Sequence, residues 1–128
     1  DTGLSLPLAG SASGRAGLAG CDAETREAVI NEIRVKTPDD AARYEADIRQ
    51  AVKDCARHGF CTVDGDLVTG IQAAGVPYGR IASGELVVFN CAFQKPTPGG
   101  SRSASWLGKE VGPKLLQMVR TLRESRVS

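Results

Sequence analysis

The chain has 128 residues, 41% hydrophobic and 24% charged, ordinary values for one globular domain with a single core, but only three Phe, two Tyr and one Trp are available to anchor it. Sixteen basic against fifteen acidic residues give a net charge of +1, too little for the long-range positive field on which nonspecific phosphate binding draws, so this chain alone is not expected to hold DNA. No run approaches the roughly 20 apolar residues of a membrane span and no apolar signal core is present; no membrane partner is expected, and the cytoplasm is the expected compartment.

In chain order, Asp1 to Ala9 reads as the tail of a strand, with Leu4, Leu6 and Leu8 alternating. The small residues Gly10-Ser11-Ala12-Ser13-Gly14 then release the backbone into a short helix from about Ser13 to Ala19. Two readings of that loop stand side by side. Its hydroxyls and first-turn N–H groups suit a carboxylate, or Ser13 merely caps the helix. Asp22 is the expected N-cap of a second helix ending near Val35, with Val29, Ile30 and Ile33 as its apolar side. Thr37-Pro38-Asp39-Asp40 supplies a cap, a proline at the first helical position and first-turn acids, a start signal for a third helix. Along it Ala41, Tyr44, Ile48, Ala51, Val52 and Cys55 recur at spacings of three and four, an apolar stripe expected to lie against a sheet. Gly59 ends it.

Phe60 to Val63 reads as a strand, Asp64-Gly65-Asp66 as a turn, and Gly70 to Tyr78 and Glu85 to Phe93 as longer strands joined at hairpin length. If these pair antiparallel, Val88, Asn90 and Ala92 share one face, and Val87, Phe89 and Cys91 the other. Gln94 to Ser103 is a loop. Beyond it Leu107, Val111, Leu115, Met118, Val119 and Leu122 form a last helical stripe, in which Pro113 either kinks the helix or, the preferred reading, begins it after a short turn from Ser105. Strands framing helices in this order argue for an α+β domain with a mainly antiparallel sheet.

The order of these segments carries more information than any one of them. The loop and helix Ser11-Ala12-Ser13-Gly14-Arg15-Ala16-Gly17-Leu18-Ala19 come first, then the amphipathic helix closed by Gly59. The run Gly59-Phe60-Cys61-Thr62-Val63-Asp64-Gly65-Asp66-Leu67-Val68-Thr69-Gly70-Ile71 follows, then the paired strands, and Leu107-Gly108-Lys109-Glu110-Val111-Gly112-Pro113 before the last helix. Over nearly the whole chain this series resembles the C-terminal effector-binding domain of IclR-type bacterial transcription regulators. The resemblance implies a GAF-like fold, truncated here at its N-terminus, since the family's domain carries further strands and a helix before the point at which this chain begins. It also implies a winged helix-turn-helix domain missing from residues 1–128, through which alone DNA is bound. The expected partners are a small-molecule effector, a carboxylate, and further copies of the chain in a homodimer or tetramer. A sheet short of strands would leave an edge free to pair.

The resemblance places an effector pocket against Ser11, Ala12, Ser13 and Gly14, with Ile71 and Ala73 on one strand and Asn90 and Ala92 on the next. In the family an acidic pair follows the first strand. Here Val63 replaces the first acid, and Asp64 either keeps the second place or is a turn residue accepting local N–H groups. Asn90 and Ala92 stand where hydroxyl residues are frequent, which points to a changed effector preference. A buried amide at Asn90 would need a partner or cost about 1 to 3 kcal/mol, which favours a ligand or ordered water; the alternative is a strand residue facing solvent.

No catalytic residue, metal ligand or cofactor is expected. Cys21, Cys55, Cys61 and Cys91 contain no Cys-x-x-Cys pair and read as buried reduced thiols. Cys55-Ala56-Arg57-His58-Gly59-Phe60-Cys61 lacks a fourth zinc ligand, and its thiol and imidazole lack an orienting acid and an oxyanion device. The rival functional reading is thiol chemistry by Cys61 with His58 and Asp64; a third is a GAF-type sensory module of another family. Lys114, Arg120, Arg123 and Arg126 give the last helix a basic side that reads as solvated.

Overall fold

The computed structural model describes residues 10–64, 71–94 and 104–127. The strand tail expected before Ala9, Gly65 and Asp66 of the turn, and the loop after Gln94 lie outside the described residues. Three helices, α1 (Ala12–Gly20), α2 (Ala23–Lys36) and α3 (Pro38–His58), precede three strands, β1 (Cys61–Asp64), β2 (Ile71–Arg80) and β3 (Leu86–Gln94). A short helix α4 (Ala104–Trp106) then runs through a π-helical turn (Leu107–Val111) into α5 (Gly112–Val127). The strands form one antiparallel sheet in the order β1-β2-β3. The fold is α+β, as the order of elements predicts.

Most helix boundaries follow from local chemistry. Asp22 caps α2 as expected, its carboxylate accepting from the Thr25 N–H at 2.8 Å. The cap of α1, in contrast, is Ser11 and not Ser13: Ser11 Oγ accepts from the Gly14 N–H at 2.9 Å. Thr37 occupies the N-cap position of α3 without capping it, because its hydroxyl donates instead to Ile33 O at 3.0 Å, closing α2. Pro38 opens α3 and Gly59 ends it at φ +89°. At the far end the helix neither kinks at Pro113 nor waits for it. The π-helical turn takes up the mismatch, Gly112 N–H donating to Leu107 O, so that Pro113 falls in the first turn of α5, where its missing N–H is harmless.

The stripe of α3 lies against helices rather than across a sheet. Tyr44 and Ile48 join Leu18, Cys21 and Ile30 in one cluster, while Ala51 and Cys55 reach Ala16 and Cys61 at the edge where β1 runs. Arg49 and Arg34 on α3 and α2 pair across the outer surface with Glu27 and Glu45, exposed contacts that contribute little individually. The opposite face of the sheet packs on α5, where Ala74 and Val76 meet Leu107, Val111, Leu115 and Val119. Phe60, expected in β1, precedes it and packs in this second layer. Trp106 lies edge-to-face on Phe93, ring centroids 5.1 Å apart. Arg123 is not merely solvated: it donates to Tyr78 O and its guanidinium covers the Tyr78 ring at 5.1 Å. Lys114 and Arg120 are exposed.

One residue of this layer is out of character. Gln72 is 0% exposed, paired between Asp64 and Phe93 in the sheet, and among the described residues neither its amide nitrogen nor its oxygen has a hydrogen-bond partner. An unsatisfied amide of this kind costs about 1–3 kcal/mol, whereas an apolar side chain of similar shape costs nothing comparable. Gln72→Leu is therefore expected to raise the unfolding free energy by about 1–3 kcal/mol, read as a higher urea midpoint at unchanged slope.

Candidate functional site

The space between the sheet and α1 has a backbone cause. Gly75, central in β2, lets α1 settle on the strand: a Cβ there would come 2.6 Å from Ala12 O and 3.1 Å from the Ala16 Cβ. Nearer the C-terminal end of α1, a Cβ on Gly20 would meet the Pro77 side chain at 2.9 Å. With α1 seated at these points, a cavity of about 790 Å³ remains beside it, in the range of small-molecule sites. Ser11, Ala12, Ser13 and Gly14 line it from the helix start, and Ile71, Ala73, Asn90 and Ala92 from the strands. These eight positions, from three separate segments of the sequence, line the same cavity.

Asp64 does not join them. The register pairs Val63 with Ala73 and Asp64 with Gln72, and alternation along a strand sends Val63 and Ala73 to the cavity face while Asp64 and Gln72 take the other. Of the two, it is the apolar Val63 that reaches the cavity and stands in its wall. Asn90 is on the wall but exposed, not buried. Its amide carries no desolvation penalty, and the argument from an unsatisfied buried group passes instead to Gln72. As the alternation predicts, Val88, Asn90 and Ala92 share the cavity face, while Phe89 and Cys91 pack toward α5.

The rest of the wall was not singled out in the sequence. Leu18 of α1 and Cys21 just after it, Thr25 and Val29 of α2, Leu86 and Val88 of β3, and Arg80 at the end of β2 also line the cavity. The wall is mainly apolar, with Ser11, Ser13, Thr25, Arg80 and Asn90 as its polar side chains among the described residues. Ser11 Oγ is engaged by the Gly14 N–H, and Arg15 N–H donates to Ser11 O, so part of the helix start is already satisfied internally. Burial pushes the Cys21 thiol up, and its Sγ donates to Leu18 O at 3.2 Å; it is a wall atom, not a nucleophile.

The rival thiol constellation is not assembled. Cys61 is 1% exposed beneath α1, its Sγ 3.9 Å from Ala12 O; its interaction with Cys55 pushes the Cys55 thiol far up and holds the Cys61 thiol below its usual value. His58 is exposed at the end of α3, its ring tilted against Phe60 with centroids 6.1 Å apart. Asp64 lies at the other end of β1 on the opposite face. All four cysteines are free, but only Cys21 and Cys61 are buried; Cys55 and Cys91 are half-buried. Among the described residues no three His, Cys, Asp or Glu side chains converge as a metal site, and no helix is long and apolar enough to cross a membrane.

No family model matches the chain. A curated relative, the HTH-type transcriptional regulator TsaQ1/TsaQ2 of Comamonas testosteroni, is 27% identical over 123 residues, 96% of this chain and 43% of that protein. An IclR family transcriptional regulator from Brucella abortus superposes with a TM-score of 0.80 at 28% identity, over 94% of this chain and 44% of that one. The inducer-binding domain of the PobR transcription factor from Acinetobacter, a double mutant in complex with 3-hydroxybenzoic acid, shares the fold with a TM-score of 0.66 at 23% identity, over 94% of this chain and 69% of that one. The chain thus spans less than half the length of the two whole regulators. By sequence and fold alike, the chain is similar to part of an IclR family transcriptional regulator.

Proposed function

We propose that the chain senses a small organic acid or related metabolite, held without chemical change between the sheet and the Ser11-to-Gly14 start of α1, with Ile71, Ala73, Asn90 and Ala92 as contacts. The observation that carries this reading is the open, largely apolar cavity lined by residues from five elements, beside which no catalytic constellation is assembled among the described residues. Solved structures of the same fold support it: the PobR inducer-binding domain is complexed with 3-hydroxybenzoic acid, and an IclR homologue from Microbacterium hydrocarbonoxydans with 4-hydroxybenzoate. The domain works as a non-enzymatic part of a longer cytoplasmic regulator, oligomeric through copies of itself, whose winged helix-turn-helix part reads DNA. Effector binding then acts through its differential affinity for two arrangements of the paired subunits.

A thermal-shift screen of small carboxylates and aromatic acids tests the reading. A specific ligand at a hundredfold excess over its Kd adds about 2.7 kcal/mol of stability, and Asn90→Ala is expected to remove most of that gain while leaving the unliganded midpoint unchanged. A panel in which no acid raises the midpoint of the wild-type chain would sink the proposal; a full shift in the variant would remove Asn90 from it.

A further inference from the structure

We infer that the cavity takes an elongated acid, its carboxylate at Arg80 and its far polar end at Asn90. This rests on the ligand-sensing reading above and adds an orientation and a length to it.

Three observations carry the inference. The first is a phase change in β2. Up to Val76 the odd residues Ile71 and Ala73 face the cavity, and the even residues Gln72, Ala74 and Val76 face α5. Continued alternation would send Arg80 to the α5 side. A register irregularity between Pro77 and Gly79 adds one residue, pairing Pro77 with Val88, Gly79 with Val87 and Arg80 with Leu86. Gly79, at φ +126°, supplies a conformation that other residues rarely adopt. Because Leu86 and Val88 face the cavity, the bulge turns Arg80 onto the cavity wall.

Charge is the second. Arg80 is the one cationic side chain among the described residues of that wall. One of its five N–H donors goes to Gly84 O at 2.7 Å, which leaves its fork available to a carboxylate. The nearby acid, Asp22, is already engaged: Oδ1 accepts from the Thr25 N–H at 2.8 Å and Oδ2 from the Thr25 hydroxyl at 3.1 Å. The third is length. Gly75, near the N-terminal end of α1, pairs with Asn90, whereas Leu86 lies near Gly20 at its C-terminal end. Asn90 and Arg80 are therefore separated by about the length of the nine-residue α1, ~13 Å, with Leu18, Val29 and Val88 along the walls between them. An acid whose carboxylate sits directly on a single ring does not bridge that distance.

The test uses the 128-residue chain, isothermal titration and three probes: 4-(4-hydroxyphenyl)butanoate, its primary amide, and 4-hydroxybenzoate. The expected order of affinity places the long acid first. Arg80→Gln should weaken the long acid about tenfold or more and its amide hardly at all, while Lys53→Gln, the same charge change on the exposed face of α3, changes neither. Equal binding of the long acid by Arg80→Gln and wild type would overturn the orientation, and tighter binding of 4-hydroxybenzoate would overturn the length; the sensing function survives either result. Failure of all three probes, together with an unresponsive carboxylate screen, would overturn both.

Discussion

Gly75→Val is expected to lower the unfolding free energy by about 1–3 kcal/mol or more and to abolish stabilisation by any acid that binds the wild-type chain. The cause is geometric. The Cβ of any side chain at position 75 falls 2.6 Å from the carbonyl oxygen of Ala12, and backbone cannot swing aside as the end of a long side chain can. Either α1 lifts from β2 or the strand buckles, and Ala16, 3.1 Å from the same point, blocks a sideways escape. Valine adds two methyl groups to that conflict. Since α1 and its N-cap supply Ser11, Ser13, Gly14 and Leu18 to the cavity, moving the helix changes the site as well as the stability. Urea unfolding and thermal shift on the same sample check both effects; a wild-type midpoint would mean that α1 is not held against β2 at Gly75.

The eight wall positions came from the family resemblance; strand alternation by itself says only that Ile71 and Ala73 share one face, as do Asn90 and Ala92, and not which face the helices cover. Asp64 fails by the same logic. A strand starting one residue later than expected still points Val63 one way and Asp64 the other, so both cannot reach one cavity. Arg80 was illegible because a single inserted residue near Pro77 inverts the alternation, and nothing in Val76-Pro77-Tyr78-Gly79 taken alone says which residue is skipped. Leu18, Thr25 and Val29 were read as helix residues, and the choice between facing a core and facing a void depends on what stands opposite. The packing of α3 was misplaced for a related reason: its periodicity defines an apolar side, but helices α1 and α2 cover that side as well as a sheet would. Thr37 lost its cap role to a competing acceptor, Ile33 O, four residues back.

Ile48→Ala should cost about 2–5 kcal/mol, the range for removing a fully buried branched side chain and leaving a void behind. Ile48 is 1% exposed and touches the group formed by Leu18, Cys21, Ile30 and Tyr44, which ties α1 and α2 to α3. Leu18 and Cys21 have a second role, since both also line the cavity. A void at Ile48 therefore opens directly behind the ligand-facing wall. Leu107, 0% exposed, is the matched control on the α5 side of the sheet, and Leu107→Ala belongs to the same range of cost without touching that wall. Measured at a temperature where both variants remain folded, Ile48→Ala should weaken acid binding and Leu107→Ala should not. Where the loss of stability leaves too little folded protein, Ile48→Val, at about 0.5–1.5 kcal/mol, poses the same question more gently. Equal loss of affinity in the two variants would mean that the cavity responds to the stability of the whole domain and not to the wall that Ile48 supports.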